Sequence, residues 1–350
     1  MRVTPSRTSL SRKKKTPTRR ASGGEPGVGG GDRRCARGAP AASQGVLVCH
    51  VNPDGDALGS MLGFGQGLRQ LGVTRMQCTF PGPMVVPEPL RMPAMELLVP
   101  EQEAYPDPDL LVTFDAASTG RLGVFAERLE TAPASVVLDH HASNAGFGKV
   151  RLVDPGAAAT AVVAAGLLER LGVEFDKGIA ECLYIALVTD TGSFKFDLTT
   201  PEVHELAARL VATGISVGEI SRRIFDTRPF GAVKLFGEVL GRAALDPGAA
   251  RGLGLVTAVA TLDDLDRHDQ PAYVLEALID SVRCTAEADV ACLLKQVTPD
   301  EWAVSLRSKG GADVSEVAVA LGGGGHRLAA GFTGRGTADE IISAVRTILG

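Results

Sequence analysis

The sequence has six cysteines (Cys35, Cys49, Cys78, Cys182, Cys284 and Cys292) and no C-x-x-C pair among them. Several sit in apolar runs, where cysteine behaves as a small hydrophobe, so they read as reduced thiols of a cytoplasmic protein. No window reaches the roughly 18 consecutive apolar residues of a transmembrane helix. The start, MRVTPSRTSLSRKKKTPTRR, lacks the apolar centre of a secretory signal. Positive charge is scarce wherever a fold can form. The net charge is -5, but residues 1–40 hold 11 Lys+Arg and 2 Asp+Glu, which leaves -14 for residues 41–350. A bulk basic surface for nucleic acid is thereby excluded, and an anion would need local positive charge such as a metal cluster. What is present is a chain of 350 residues with 45% apolar and 22% charged residues. That suits a soluble protein of two domains and no internal repeat.

Residues 1–42 are rich in Arg, Lys, Ser, Gly and Pro without hydrophobic periodicity, which predicts a disordered basic tail. From Gly45 onward, short apolar runs alternate with helical stretches. VLVCH (46–50), LLVTFD (110–115) and SVVLD (135–139) are continuous apolar runs, as expected for buried parallel strands. Residues 59–72 and 158–172 read as helices closed by glycine, and 179–190 as a helix followed by an extended TGSFKF. The fold class is α/β, with an open parallel sheet over residues 43–200 that gathers ligands at the carboxyl ends of its strands. Residues 201–230, bounded by Pro201 and Pro229, read as a helical linker. Residues 231–350 read as a smaller α/β domain with strands at 252–261, 288–297 and 302–308.

The strand ends and the end of helix 179–190 supply His50, Asp54, Asp56, Asp115, Asp139, His140, His141 and Asp190. So many carboxylates at one sheet edge repel one another unless cations sit among them, which two divalent metals would supply. Mixed imidazole and carboxylate ligands suit Mn²⁺, Fe²⁺, Co²⁺ or Zn²⁺ better than Mg²⁺. Taken singly, Asp54-Gly55-Asp56 could be only a turn and Asp115 only a helix cap. His140-His141 is harder to dismiss, because four of the six histidines are His50, His140, His141 and His326. His204 and His268 read as surface residues. GGGGHRLAAGF (322–332) lacks the Gly-Lys-Ser/Thr ending of a phosphate loop and reads as glycines leading into a packed helix start, with backbone free to approach a ligand.

In order, HVNPDGDALGS, the Asp of TFDAAS, LDHHASN and LVTDTGSF resemble the four motifs of the DHH phosphoesterases. GGGGHRLAAGF is similar to the signature of the C-terminal domain associated with them. The resemblance covers about residues 45–335. Its length and single compact C-terminal domain are similar to the group of bifunctional oligoribonucleases and 3'-phosphoadenosine-5'-phosphate (PAP) phosphatases, and RecJ-type exonucleases carry further domains. It implies a catalytic domain and a substrate-binding domain with the active site in the cleft between them. It also implies two divalent metal ions, Mn²⁺ foremost: His50 and Asp54 on one, Asp56 and His140 on the other, Asp115 bridging and Asp190 completing the cluster. Asp139 would orient its neighbouring histidine, and His141 would face the scissile phosphate. Arg307, Ser308, Gly323, Gly324, Gly325 and His326 would grip the terminal nucleotide. The implied partners are short RNA oligonucleotides or nucleotides, with no membrane, and a homodimer is common among such proteins. Cleavage of a cyclic dinucleotide, and a nucleotide sensor that binds without cleaving, stay open beside hydrolysis of short RNA and PAP.

Overall fold

The computed structural model describes residues 44–350, and the tail expected over residues 1–42 lies outside the described residues. The first unit carries a five-stranded parallel sheet: β1 (Gly45–Cys49), β2 (Met76–Thr79), β3 (Leu110–Phe114), β4 (Ala134–Asp139) and β5 (Val150–Val153). Their order is β2-β1-β3-β4-β5. The chain therefore reverses its direction of travel across the sheet between β1 and β3. In such sheets the crevice for ligands opens at that point, beyond the carboxyl ends of the strands.

Helices cover both faces: α1 (Gly55–Gln70), α2 (Phe125–Thr131), α3 (Thr160–Arg170), α4 (Lys177–Asp190), α5 (Pro201–Ala212) and α6 (Val217–Phe225). The two-residue period of a strand is hidden inside an unbroken apolar run. In β1, Leu47 and Cys49 join the core of α1, α3 and α4, while Val46 and Val48 join the smaller core under α2. Burying each such aliphatic side chain contributes about 1.5–3 kcal/mol. The residues expected as a linker do not stand free: Val203, Leu206, Ala207 and Leu210 of α5 and Ile220 of α6 are buried in this first core.

The second unit holds α7 (Phe230–Gly241), β6 (Ala244–Asp246), β7 (Leu255–Ala260), α8 (Leu262–His268), α9 (Leu278–Arg283), β8 (Val290–Thr298), β9 (Glu301–Ser308), α10 (Val314–Ala320), β10 (Gly324–His326), β11 (Ala329–Arg335) and α11 (Ala338–Leu349). Its mixed sheet runs β10-β11-β9-β8-β7-β6, with β7 and β8 parallel and the other pairs antiparallel. Side chains of α7, α8 and α9 fill one core and those of α10 and α11 another.

Three local expectations are corrected. The first helix begins at Gly55, not 59, because the Asp54 carboxylate accepts from the Ala57 amide at 3.0 Å and caps it. TGSFKF is not extended. Gly192, Ser193 and Phe194 take positive φ, and the Ser193 amide donates back to the Val188 carbonyl at 2.7 Å, so the chain coils tightly over the end of α4. GGGGHRLAAGF is a β-hairpin rather than a helix start, its small residues lying where β11 pairs with β9. Among the described residues the cysteines are unpaired, and no helix is long and apolar enough to cross a membrane.

Helix α1 carries glycine at 55, 59, 63 and 67, one position per turn along one stripe. A Cβ at Gly59 would collide with the Cys182 carbonyl oxygen, and one at Gly55 with the Thr189 side chain. Gly67 thus makes room for Leu168 of α3, while Gly55, Gly59 and Gly63 let α4 lie against α1 almost backbone to backbone. That brings Asp190, at the end of α4, beside the start of α1. Gly59→Ala is expected to lower stability by about 1–3 kcal/mol through overpacking. Gly166→Ala in α3, where a Cβ meets nothing within 4 Å, is expected to raise it by about 0.5–1 kcal/mol. Parallel denaturant unfolding of the two variants checks this, and shifts of the same sign would refute the close-approach account.

Candidate metal centre

His50 follows β1, Asp115 follows β3, and Asp139 ends β4 with His140 and His141 behind it. Asp54 caps α1, Asp56 lies in its first turn, and Asp190 closes α4. All eight converge at the carboxyl edge of the sheet, at the switch point between β1 and β3. Among the described residues four groups of three donors lie there, the donor atoms of each within 4.8 Å of one another. Two of them, His50 with Asp54 and Asp115 and Asp56 with Asp115 and His140, meet at Asp115; the others are Asp115 with Asp139 and His141, and His140 with His141 and His326. His50 Nε2 stands 3.5 Å from Asp115 Oδ2 and 3.9 Å from Asp54 Oδ2. His140 Nε2 stands 3.6 Å from Asp115 Oδ1, 3.8 Å from Asp56 Oδ2 and 3.3 Å from Asp190 Oδ2. These gaps exceed a normal N–H···O bond and suit ligand atoms ranged about a shared centre.

The orientation of the His140 ring also fits metal ligation. His140 Nδ1 lies 3.1 Å from the Ala157 carbonyl, so donation there leaves its Nε2 lone pair facing the carboxylates, while His50 Nδ1 lies between the Val51 carbonyl at 2.8 Å and Arg121 Nη2 at 2.9 Å. Asp115 has φ +57°, a left-handed backbone that costs on the order of 1–2 kcal/mol and turns its side chain inward. Its amide donates to the Leu138 carbonyl at 3.0 Å, and Thr160 Oγ1 donates to Asp115 Oδ1 at 3.0 Å. Asp56 accepts from the Thr160 and Ala161 amides at the start of α3, at 2.6 and 3.1 Å, and from Ser60 Oγ at 2.8 Å.

Electrostatics divide the carboxylates. Burial and the charges of Asp115 and Asp190 push the Asp56 carboxyl well above its ordinary range. Burial, Asp115 and Asp54 do the same to Asp190. Burial would raise Asp115 too, but contact with His50 and the charges of His141 and His140 outweigh it and hold Asp115 well below that range. A site that disfavours the charged form of two of its three clustered acids is built for more positive charge than its histidines provide.

Asp139 is a different kind of residue. One oxygen accepts from the His140 amide at 2.8 Å and from His141 Nδ1 at 2.7 Å, and the other from Asn144 Nδ2 at 2.6 Å. Its lone pairs are engaged in fixing the two histidines. Although burial opposes the charge, the Asp139 hydrogen bond and the neighbouring carboxylates raise His141 to about 9.

The second unit reaches the same place. The His326 ring stacks on His141, with centroids 4.3 Å apart and planes 19° apart, and its centroid is 4.7 Å from that of His140. Its Nε2 is buried without a hydrogen-bond partner, and one of its ring nitrogens lies within 4.8 Å of ring nitrogens of His140 and His141. Burial and the nearby histidine charges bring His326 down to about 3, so it is neutral. Ser143 Oγ donates to the Gly325 carbonyl at 3.5 Å.

The other residues expected at a nucleotide grip separate. Along β9, Trp302, Val304, Leu306 and Ser308 are buried while Ala303, Ser305 and Arg307 are half-buried. Arg307 and Ser308 thus point to opposite faces. Ser308 is a correction: its hydroxyl donates to Asp289 at 2.9 Å and accepts from the Gly310 amide at 3.0 Å, holding the following turn. Ser305 shares the face of Arg307, a residue that the period of two could have exposed. A Cβ at Gly323 or Gly325 would strike the backbone of β11, so those glycines serve the hairpin, whereas Gly324 faces open space. Neither His204, stacked on Phe194, nor His268, paired with Glu238, joins the cluster. Sequence reasoning missed Thr160 and Asn144; a lone hydroxyl in the run AAATAVVAA was the only signal for the first.

Residues 45–187 match the DHH family, N-terminal domain, and residues 255–350 match the DHHA1 domain. The chain is 36% identical over 313 residues to the bifunctional oligoribonuclease and PAP phosphatase NrnA of Thermus thermophilus, spanning 86% of this chain and 88% of that one. It is 25% identical over 312 residues to the protein of that name from Bacillus subtilis, covering 87% and 94%. The crystal structure of an exopolyphosphatase-related protein from Bacteroides fragilis shares the fold, with a TM-score of 0.77, 24% identity and coverage of 88% and 92%. With both domains in order and that identity along most of its length, the chain belongs to the DHH phosphoesterase family.

Proposed function

We propose that this protein hydrolyses short oligoribonucleotides to mononucleotides, and PAP to AMP, with the help of two divalent metal ions. The observation that carries the reading is the pair of donor groups meeting at Asp115. His50 and Asp54 would hold one ion, Asp56, His140 and Asp190 the other, and Asp115 both. Imidazole mixed with carboxylate favours Mn²⁺ over Mg²⁺. When bound, the ions supply a water activated near neutral pH and neutralise charge on the attacked phosphate.

The chain's own residues do the rest. Asn144 holds Asp139, and Asp139 holds His141 by Nδ1, so the Nε2 edge of that ring faces outward in a fixed direction. A histidine raised to about 9 is protonated through the neutral range. It can therefore steady negative charge on the phosphate and deliver the Nε2 proton to the leaving oxygen. Neutral His326 offers its unpartnered Nε2 to the same phosphate, and Arg307, whose charge is felt at Asp190, supplies a fixed positive charge for the terminal nucleotide. The open space at Gly324 lets that nucleotide approach the backbone. These few groups account for an acidic body that accepts anions.

Asp115→Asn is expected to lower Mn²⁺-dependent turnover of an RNA trinucleotide and of PAP on the order of 100-fold or more. Release of mononucleotide and of phosphate measures it, and undiminished turnover would refute the site. A cyclic dinucleotide assayed alongside should be the poorer substrate; if it is preferred, the substrate reading is wrong.

Metal uptake competes with protons, because a ligating carboxylate is deprotonated and the Asp56 and Asp190 carboxyls are raised above their ordinary range. Apparent Mn²⁺ affinity should thus fall with falling pH, about tenfold per unit for each proton displaced. Calorimetric titration in buffers of different ionisation enthalpy reads both quantities, and an affinity indifferent to pH would contradict the raised carboxyls.

A further inference from the structure

A groove of about 350 Å³ opens beside His141, lined by His141, Ala142, Asn144, Gly146, Arg151, Val153 and Pro155. All of these belong to the first unit. The residues of the second unit that touch this region, His326 and Gly325, meet His141 and Ser143 and do not line it. Its volume is at the lower end of the range for ligand sites, room for about one nucleotide. The lining contains one arginine and no acid, in a body whose net charge is -14 over residues 41–350.

Arg151 stands on β5, the edge strand of the sheet, with an exposed side chain. Its Nη1 donates to the Gly146 carbonyl at 2.7 Å, which ties it to the loop that also carries Asn144. A guanidinium has five N–H donors, so this contact leaves a planar array for an anion.

We infer that this groove receives the 3' remainder of an oligoribonucleotide held by its 5' nucleotide, with Arg151 pairing with the first phosphate beyond the scissile one. The inference rests on the proposed function and refines its substrate. With the terminal nucleotide held by the second unit and the scissile phosphate at His141, the rest of the strand must exit past His141, and this is the groove that begins there. When the held nucleotide is the 5' one, the P–O3' bond breaks and its O3' is the leaving oxygen, as the adenosine O3' is in PAP, and PAP has no phosphate beyond its scissile 3' group. Arg151 is thus a specificity residue that distinguishes oligoribonucleotide from PAP.

The test compares kcat/KM for an RNA trinucleotide and for PAP, both with Mn²⁺, in the wild type and in Arg151→Gln. Glutamine keeps an N–H for the Gly146 carbonyl and removes the charge. The ratio of trinucleotide to PAP kcat/KM is expected to fall on the order of tenfold, chiefly through KM, the worth of one charge-assisted contact. An unchanged ratio, including equal losses on both substrates, overturns the inference and leaves Arg151 as a support of the loop. Binding of a fluorescent RNA trinucleotide in EDTA reads the same contact without turnover. If the wild type turns over neither substrate, the proposed function fails, while tenfold weaker trinucleotide binding by Arg151→Gln still supports the groove and unchanged binding overturns it.

Discussion

Asp56, Asp115 and Asp190 are drawn together against His140 until each carboxylate is close to that one ring nitrogen. Their mutual repulsion is the constraint on which the rest of the first domain depends. Left in water, three such groups would separate; here they are held because each is fastened by something rigid. Asp56 is gripped by the first amides of α3, Asp115 is locked by its left-handed backbone and by Thr160, and Asp190 is delivered by α4. The cost of crowding is carried by the fold and offset by whatever positive charge enters the cluster.

The same logic explains why the packing beneath the site is so close. A parallel sheet places its strand ends in a row but cannot bring in a residue from a helix on its face unless that helix lies unusually near. The glycine stripe of α1 does this for α4. Hydrogen bonds from Asn144 and His141 then converge on Asp139 at the end of β4, so that the ring of His141 inherits the rigidity of the strands. The second domain adds a histidine to this layer.

What could be read in the sequence was what depends on neighbours along the chain. Apolar runs marked β1, β3 and β4, and polar groups immediately behind them marked the donors, because a strand end and the residue after it share one place in space. What could not be read depends on elements far apart. Thr160 matters because the start of α3 meets Asp56, over a separation of more than a hundred residues, and because its hydroxyl meets Asp115. The glycines of α1 are visible as a four-residue repeat, yet their partner on α4 is not. GGGGHRLAAGF is locally compatible with a helix and becomes a hairpin through its pairing with β9. Ser308 was grouped with Arg307 through adjacency in a motif, which a strand turns into opposition.

That alternation along β9 restricts how this gene can change. Substitutions on the strand alter one face at a time, and the two faces can drift independently. A one-residue insertion or deletion upstream of Arg307 within the strand would carry the guanidinium into the core and the Ser308 hydroxyl outward, reversing both faces at once. The hairpin tip at residues 299–300 lies at the beginning of that strand, so even a change of loop length there threatens the register unless the turn absorbs it. Across lineages, β9 should therefore vary in composition while keeping its spacing.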